Sequence, residues 1–227
     1  MQNEMMHRPV VKAELVDYMR SQQKSLTGKL NIIEKDANKR GVPIIPHETV
    51  VFMEFLLGQI KPQQVLEIGT AIGFSASLMA QYVGDKGHVT TIDRFDKMIA
   101  EAKETFRFLE LEDKITLLEG QAADILPTLK GSYDFIFMDS AKSKYIEFLP
   151  DCLRLLKKEG VLMVDDVFQG GTILQDEKEI PRGKRGIHKK LNQFLDTVNQ
   201  HPDLASSLLP LGDGVMLITK KADEVVL

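Results

Sequence analysis

The apolar positions follow two different periods along the chain. Up to about residue 61 they recur at the spacing of amphipathic helices. Val11, Leu15, Tyr18 and Met19 mark one helical face between Val10 and Arg20, with Pro9 at a position that a first turn tolerates. Leu26, Leu30, Ile33 and Ala37 mark a second helix, ended by Gly41 and Pro43. Pro46 opens a third, which turns Val50, Phe52, Met53, Leu56 and Leu57 inward and closes at Gly58 and Pro62. From Gln64 the period changes. Short apolar runs at Val65–Ile68, Val89–Ile92, Ile115–Leu118, Tyr133–Met138 and Val161–Val164 predict buried strands. Helical stretches separate them: Ser75–Tyr82, Met98–Leu109, Ala122–Leu129 and Tyr145–Leu156. Ile187, Leu191, Phe194 and Val198 then mark an amphipathic helix, and the tail Ala205–Lys220 breaks at Gly212-Asp213-Gly214, a hairpin signal.

Strands alternating with helices imply an α/β fold, a doubly wound, Rossmann-like parallel sheet covered on both faces. The closing hairpin adds an antiparallel pair, for a mostly parallel seven-stranded sheet preceded by N-terminal helices. Ligands of such sheets sit at the C-terminal ends of the strands. The length of 227 residues suits one domain with a helical addition. Cys152 is the single cysteine, which excludes an internal disulfide framework. The N-terminal stretch Met1–Arg8 has no apolar signal core, and no apolar run is long enough for a bilayer, so the expected location is the cytoplasm, with no membrane partner. A net charge of -4 argues against a protein that coats nucleic acid but leaves room for a local basic patch.

Candidate chemistry begins at the first strand end. Gly69 and Gly73 bound the loop between the first strand and its helix, giving a tight turn and close backbone approach to a ligand. The loop lacks the Gly-Lys-Ser/Thr ending of a phosphate-binding loop, and Ala71 stands where a dinucleotide fingerprint has its middle glycine. Glu67 ends the first strand, and Asp93 ends the second, where an acid accepts ribose hydroxyls. The combination favours a nucleoside ligand over a plain structural turn. S-adenosylmethionine fits a loop with no pyrophosphate floor: Ser75 and the loop meet its amino-acid end, and Glu67 its ammonium. Two other classes stay open on the loop alone, a nicotinamide-dependent oxidoreductase and a non-catalytic adenosine-binding protein.

Asp139 ends the fourth strand with Lys142 just beyond it, and Asp165-Asp166 end the fifth. Parallel strands end at one edge, so the three carboxylates are expected to converge. Hard oxygen donors favour Mg²⁺, Mn²⁺ or Ca²⁺, and the scattered histidines offer no zinc spacing. The alternative for Asp165-Asp166 is a turn cap.

With these motifs in place, Val42 to Lys221 resembles the metal-dependent class I O-methyltransferases, the group of catechol and caffeoyl-CoA O-methyltransferases. The resemblance lies in Leu66-Glu67-Ile68-Gly69-Thr70-Ala71-Ile72-Gly73-Phe74-Ser75-Ala76, in Asp139-x-Ala141-Lys142-x-x-Tyr145 and in Asp165-x-Val167. Together with Val42-Pro43-Ile44 and His201-Pro202-Asp203 leading to Pro210-Leu211-Gly212-Asp213-Gly214, these stretches are most similar to the bacterial branch that methylates 5-hydroxyuridine in tRNA. The resemblance implies metal ligation by Asp139, Asp165 and Asp166. It implies that Ile45 and Ser75 hold the methionine end of the cofactor, Asp93 the ribose, and Gln121 with Ala122 the adenine. Lys142 would accept the acceptor's hydroxyl proton beside Asp139. Residues 62–227 would be the methyltransferase core, and residues 1–61 a helical cap or homodimer face. Two positions depart from the group: Asp166 stands where relatives usually carry Asn, and Gln121 where the nearest carry Asp. The acceptor is expected to be the tRNA wobble uridine or a small catechol-like or caffeoyl-type phenol. For RNA speak Arg182, Lys184, Arg185, Lys189 and Lys190, a basic run with no acid among them. Phe168 walls the acceptor pocket or simply packs.

Overall fold

Continuous burial on both faces makes the apolar runs into strands. The computed structural model describes residues 11–227. One sheet holds seven strands in the order β3-β2-β1-β4-β5-β7-β6. They are β1 Gln64–Ile68, β2 His88–Asp93, β3 Ile115–Glu119, β4 Tyr133–Met138, β5 Leu156–Val164, β6 Leu204–Leu209 and β7 Val215–Lys220. The pairs among β1 to β5 are parallel, while β7 runs antiparallel to β5 and β6. Successive side chains of each strand enter opposite cores. Leu66, Ile136, Met138, Leu162 and Val164 face a core shared with α7 (Tyr145–Leu155) and α8 (Arg185–Gln200). Val65, Phe135, Phe137 and Met163 face the other, with α4 (Phe74–Ala80) and α5 (Asp96–Leu109). A short helix, α6 (Ala122–Ile125), follows β3.

The helices α2 (Gly28–Arg40) and α3 (His47–Ile60) join the second core through Leu30, Ala37, Val50, Met53 and Leu57. Gly58 lies inside α3 rather than ending it. A helical glycine costs only about 1 kcal/mol, and Lys61, just before Pro62, takes the left-handed terminating conformation instead (φ +51°). The strand β5 begins earlier than the apolar run, because the polar Lys157–Gly160 stretch hides a register shift between the Tyr133–Leu156 and Phe135–Val161 pairs.

The first helix departs most from its pattern. α1 spans Ala13–Gln22, and Pro9 and Val10 of the expected helix lie outside the described residues. Val16 is its one buried residue; Leu15 and Tyr18, on the apolar face that the spacing marks, are 53% and 62% exposed. This peripheral helix touches α3 along one edge, so a single apolar row suffices. A fork of charge-assisted hydrogen bonds fixes it: Arg20 donates from Nε to Glu48 Oε2 (2.8 Å) and from Nη2 to Oε1 (3.1 Å). Glu48 is buried. On α7, Cys152 faces the core, and burial pushes its thiol up to about 12. Among the described residues no helix is long and apolar enough to cross a membrane.

Arg20→Ala leaves the buried Glu48 carboxylate unpaired, a loss of about 1–3 kcal/mol. Hydrogen exchange of the α1 amides should accelerate strongly while the sheet amides keep their protection. Unchanged exchange in α1 would show that the ion pair does not hold it.

Candidate active site

The strand registers place the C-terminal ends of β1, β2, β4 and β5 side by side: Ile68 pairs with Ile92 and Met138, and Met138 with Val164. A cavity of about 550 Å³ opens there. Its wall includes Ile45, Gly69, Ser75, Asp93, Gln121, Ala122 and Asp139, all expected from the sequence. Gly69 has a positive φ (+106°), and a Cβ on it would stand 1.9 Å from the carbonyl oxygen of Asp139. The loop therefore turns flat against β4.

Two expected cofactor residues serve other purposes. Gly73 is absent from the cavity wall. A Cβ there would meet the Phe106 ring at 2.6 Å, so this glycine admits α5 against the start of α4. Glu67 is fully buried beneath the loop and also stands back from the wall. Its carboxylate accepts Ser75 Oγ–H on Oε1 and Thr91 Oγ1–H on Oε2, both at 2.5 Å, and Thr91 Oγ1 in turn meets Thr70 Oγ1 at 2.5 Å. Glu67 thus reaches the cavity only through Ser75. Burial raises its pKa to about 8 against the stabilising effect of the two hydroxyls.

Asp93 does two jobs. Its Oδ1 accepts the amides of Arg94 (2.7 Å) and Phe95 (2.9 Å), and its Oδ2 the amide of Ala71 (2.9 Å), so it ties β2 to the glycine loop while facing the cavity. Arg94 and Phe95 also line the cavity and escaped the sequence reading. Arg94 lies over the Phe95 ring (4.5 Å) and donates from Nη1 to Gln121 Oε1 (3.3 Å). Nothing in their local pattern distinguishes them from a solvated turn.

Beside Asp139, outside the cavity wall, stands the acidic group. Burial first, then the charge of Asp166, raises the pKa of Asp139, while Lys142 lowers it. Asp165 is raised as well, by burial and by both neighbouring carboxylates. Yet the expected convergence on one point is not what the side chains do. Asp165 Oδ1 accepts the amide of Asp166 (2.8 Å), and Asp166 Oδ2 turns to Lys142 Nζ (3.2 Å). Among the described residues no three Asp, Glu, His or Cys side chains are gathered as a metal cage. Asp166 itself has a left-handed backbone (φ +59°), a conformation that Asp and Asn adopt more readily than other side chains.

A fourth carboxylate carries no chemical role in the sequence reading, where it stands in a turn and in a matching stretch. Asp213, between Gly212 and Gly214, holds Lys142 Nζ at 3.2 Å on Oδ2 and accepts the Gly170 amide on Oδ1. A Cβ on Gly214 would meet the Phe168 ring at 2.3 Å, so Phe168 packs on the turn. The basic run divides. Arg185 donates to the carbonyls of Ile180 (2.8 Å) and Lys178 (3.0 Å), and Lys190 pairs with Glu147 (2.5 Å). Both are engaged within the fold. Arg182, Lys184 and Lys189 are exposed, with no ion pair among the described residues. The helix α8, which these residues lead into, packs on the Lys142–Lys144 turn, whose Ser143 and Lys144 line the cavity.

Residues 22–221 match the O-methyltransferase family. The chain belongs to that family. A catechol O-methyltransferase of Mycobacterium tuberculosis is 30% identical over 161 residues, 70% of each chain. An Aspergillus thermomutatus O-methyltransferase, ankF, is 34% identical over 181 residues, 74% of this chain and 75% of its own. Among solved structures, the Podospora anserina methyltransferase PaMTH1, bound to SAH, superposes with a TM-score of 0.82 at 26% identity, covering 93% of this chain and 97% of that one. The protein is an S-adenosylmethionine-dependent O-methyltransferase. That decides against the nicotinamide oxidoreductase and the non-catalytic binding protein.

Two predictions concern the floor of this methyltransferase. Gly69→Ala forces a Cβ into the Asp139 carbonyl at a positive φ and should cost about 2–4 kcal/mol of stability; an unshifted denaturant midpoint would contradict the close approach. Folded Glu67 keeps its proton up to about pH 8, whereas a free glutamate releases it near 4.5. Unfolding therefore releases a proton between those values, and stability falls as pH rises through that window. Glu67→Gln should lessen this slope by one proton's share, the raised Asp139 and Asp165 keeping theirs, read from urea midpoints at acid and alkaline pH; an equally steep slope in the variant would show that Glu67 does not contribute.

Proposed function

We propose that the enzyme methylates one oxygen of an acceptor carrying two adjacent oxygens, with a hard divalent cation such as Mg²⁺, and that this acceptor is 5-hydroxyuridine at the wobble position of tRNA, giving 5-methoxyuridine. The donor set supports a hard cation: carboxylates from two neighbouring strand ends, with an ammonium already drawn to them as a positive stand-in. Asp139, Asp165 and Asp166 would hold it, and when bound it supplies a lowered pKa at the acceptor hydroxyl.

The chain's own residues do the rest. Ser75 and the Ile45 segment hold the methionine end of S-adenosylmethionine, and the buried Glu67 orients the Ser75 hydroxyl. Asp93 takes the ribose, and Gln121, fixed by Arg94, meets the adenine with Ala122. Asp139 belongs both to the cavity wall and to the acidic group, so it joins the donor's side to the acceptor's. Methyl transfer from a sulfonium releases a neutral thioether, so no acid is needed; alignment and a deprotonated oxygen are. Lys142 Nζ takes the hydroxyl proton once its own has passed to one of the two carboxylates beside it. The exposed leucine and aromatics of α1 and α3, Leu15, Tyr18 and Phe55, would form the homodimer face.

The observation that carries the tRNA reading is the exposed set Arg182, Lys184 and Lys189 at the start of α8, the helix that packs on the Lys142–Lys144 turn; such a set suits backbone phosphates. A second reading, a small catechol-like phenol, is favoured by the catechol O-methyltransferase among the relatives. Transfer of labelled methyl to hydroxylated tRNA, unmodified tRNA and catechol separates the two. Label should enter hydroxylated tRNA and vanish with chelator. Reversing Arg182, Lys184 and Lys189 to Glu should cut kcat/KM for tRNA by at least about tenfold and leave catechol turnover unchanged. Labelling of catechol without labelling of tRNA would establish the phenol reading, and full activity in chelator would remove the cation.

A further inference from the structure

Lys142 is held by two carboxylates of very different character. Asp213 is fixed: its side chain is 2% exposed, its Oδ1 takes the Gly170 amide, and its turn is wedged between Pro46 and Phe168. Asp166 is looser: its side chain is 21% exposed, and no other side chain is hydrogen-bonded to it among the described residues. The ammonium sits 3.2 Å from each. It thereby occupies the carboxylate oxygen that the cation reading above assigns to a metal. An ammonium and a dication a few ångströms apart repel strongly in a partly buried site. The flexible lysine stem can yield, provided a second anion receives the charge.

We propose that Lys142 and the divalent cation compete for Asp166, and that Asp213 is the positioning residue that keeps the displaced ammonium at the site. The proposal rests on the cation reading. The competition is a property of the carboxylate at position 166, because an amide there would form no ion pair with Lys142. Cation binding then does two things at once: it fills the acidic group and turns Lys142 away from Asp166, toward the acceptor side. Asp213 retains Lys142 through this exchange without touching the reacting atoms.

The test reads metal binding, not turnover. Titration calorimetry of Mn²⁺ into the full chain compares the parent with Lys142→Met and Lys142→Arg. Lys142→Met should bind Mn²⁺ at least about tenfold tighter, and Lys142→Arg, which keeps the charge, within about threefold of the parent. In an Asp166→Asn background the gain from Lys142→Met should largely disappear, a coupling that mere long-range repulsion would not produce. Equal Mn²⁺ affinity of the parent and Lys142→Met, or an undiminished gain in the Asp166→Asn background, overturns the competition while leaving the cation reading intact. Absence of Mn²⁺ binding in every variant overturns both. Thermal melts accompany each titration, and Lys142→Gln replaces the Met variant if that one does not fold.

Discussion

Two strand ends pressed together hold the whole site. β1 and β4 meet where Gly69 leaves no room for a Cβ against the Asp139 carbonyl. The backbone locks that contact from both sides: the Asp139 amide donates to Ile68 O (3.0 Å) and the Gly69 amide to Ile92 O (3.0 Å). The loop that faces the cofactor and the first residue of the acidic group are therefore one rigid piece. Methyl transfer needs donor and acceptor aligned to a fraction of an ångström, and a fixed floor supplies that without moving parts.

Around this floor the molecule handles buried negative charge in two ways. Under the loop, Glu67 keeps a proton and passes its influence through the hydroxyls of Ser75, Thr91 and Thr70. Beyond Asp139, the acids of β5 and of the hairpin turn share Lys142. The first arrangement is neutral and rigid; the second sets two carboxylates around one ammonium.

Much of this was legible because a doubly wound sheet writes its own pattern. Strands buried on both faces are continuous apolar runs, and an acid at the end of such a run emerges at the C-terminal edge of the sheet, as Asp93, Asp139 and Asp165 do. What escaped depends on partners remote in the chain. Asp213 reads as a turn residue until Lys142 is placed beside it, and Lys190 reads as free until Glu147 is. Gly73 reads as a ligand glycine because a close approach to a helix and one to a cofactor demand the same missing Cβ. The spacing of α1 marks an apolar face but not which way it turns: the helix docks through Val16, and Leu15 and Tyr18 stay outward.

The buried thiol of Cys152 has a separate consequence. With its pKa pushed up to about 12 and its side chain sealed in the α7 core, it presents almost no thiolate near neutrality. The single thiol of the chain is thus closed to reagents, and a cysteine introduced anywhere on the surface would be the one position open to a thiol-directed probe.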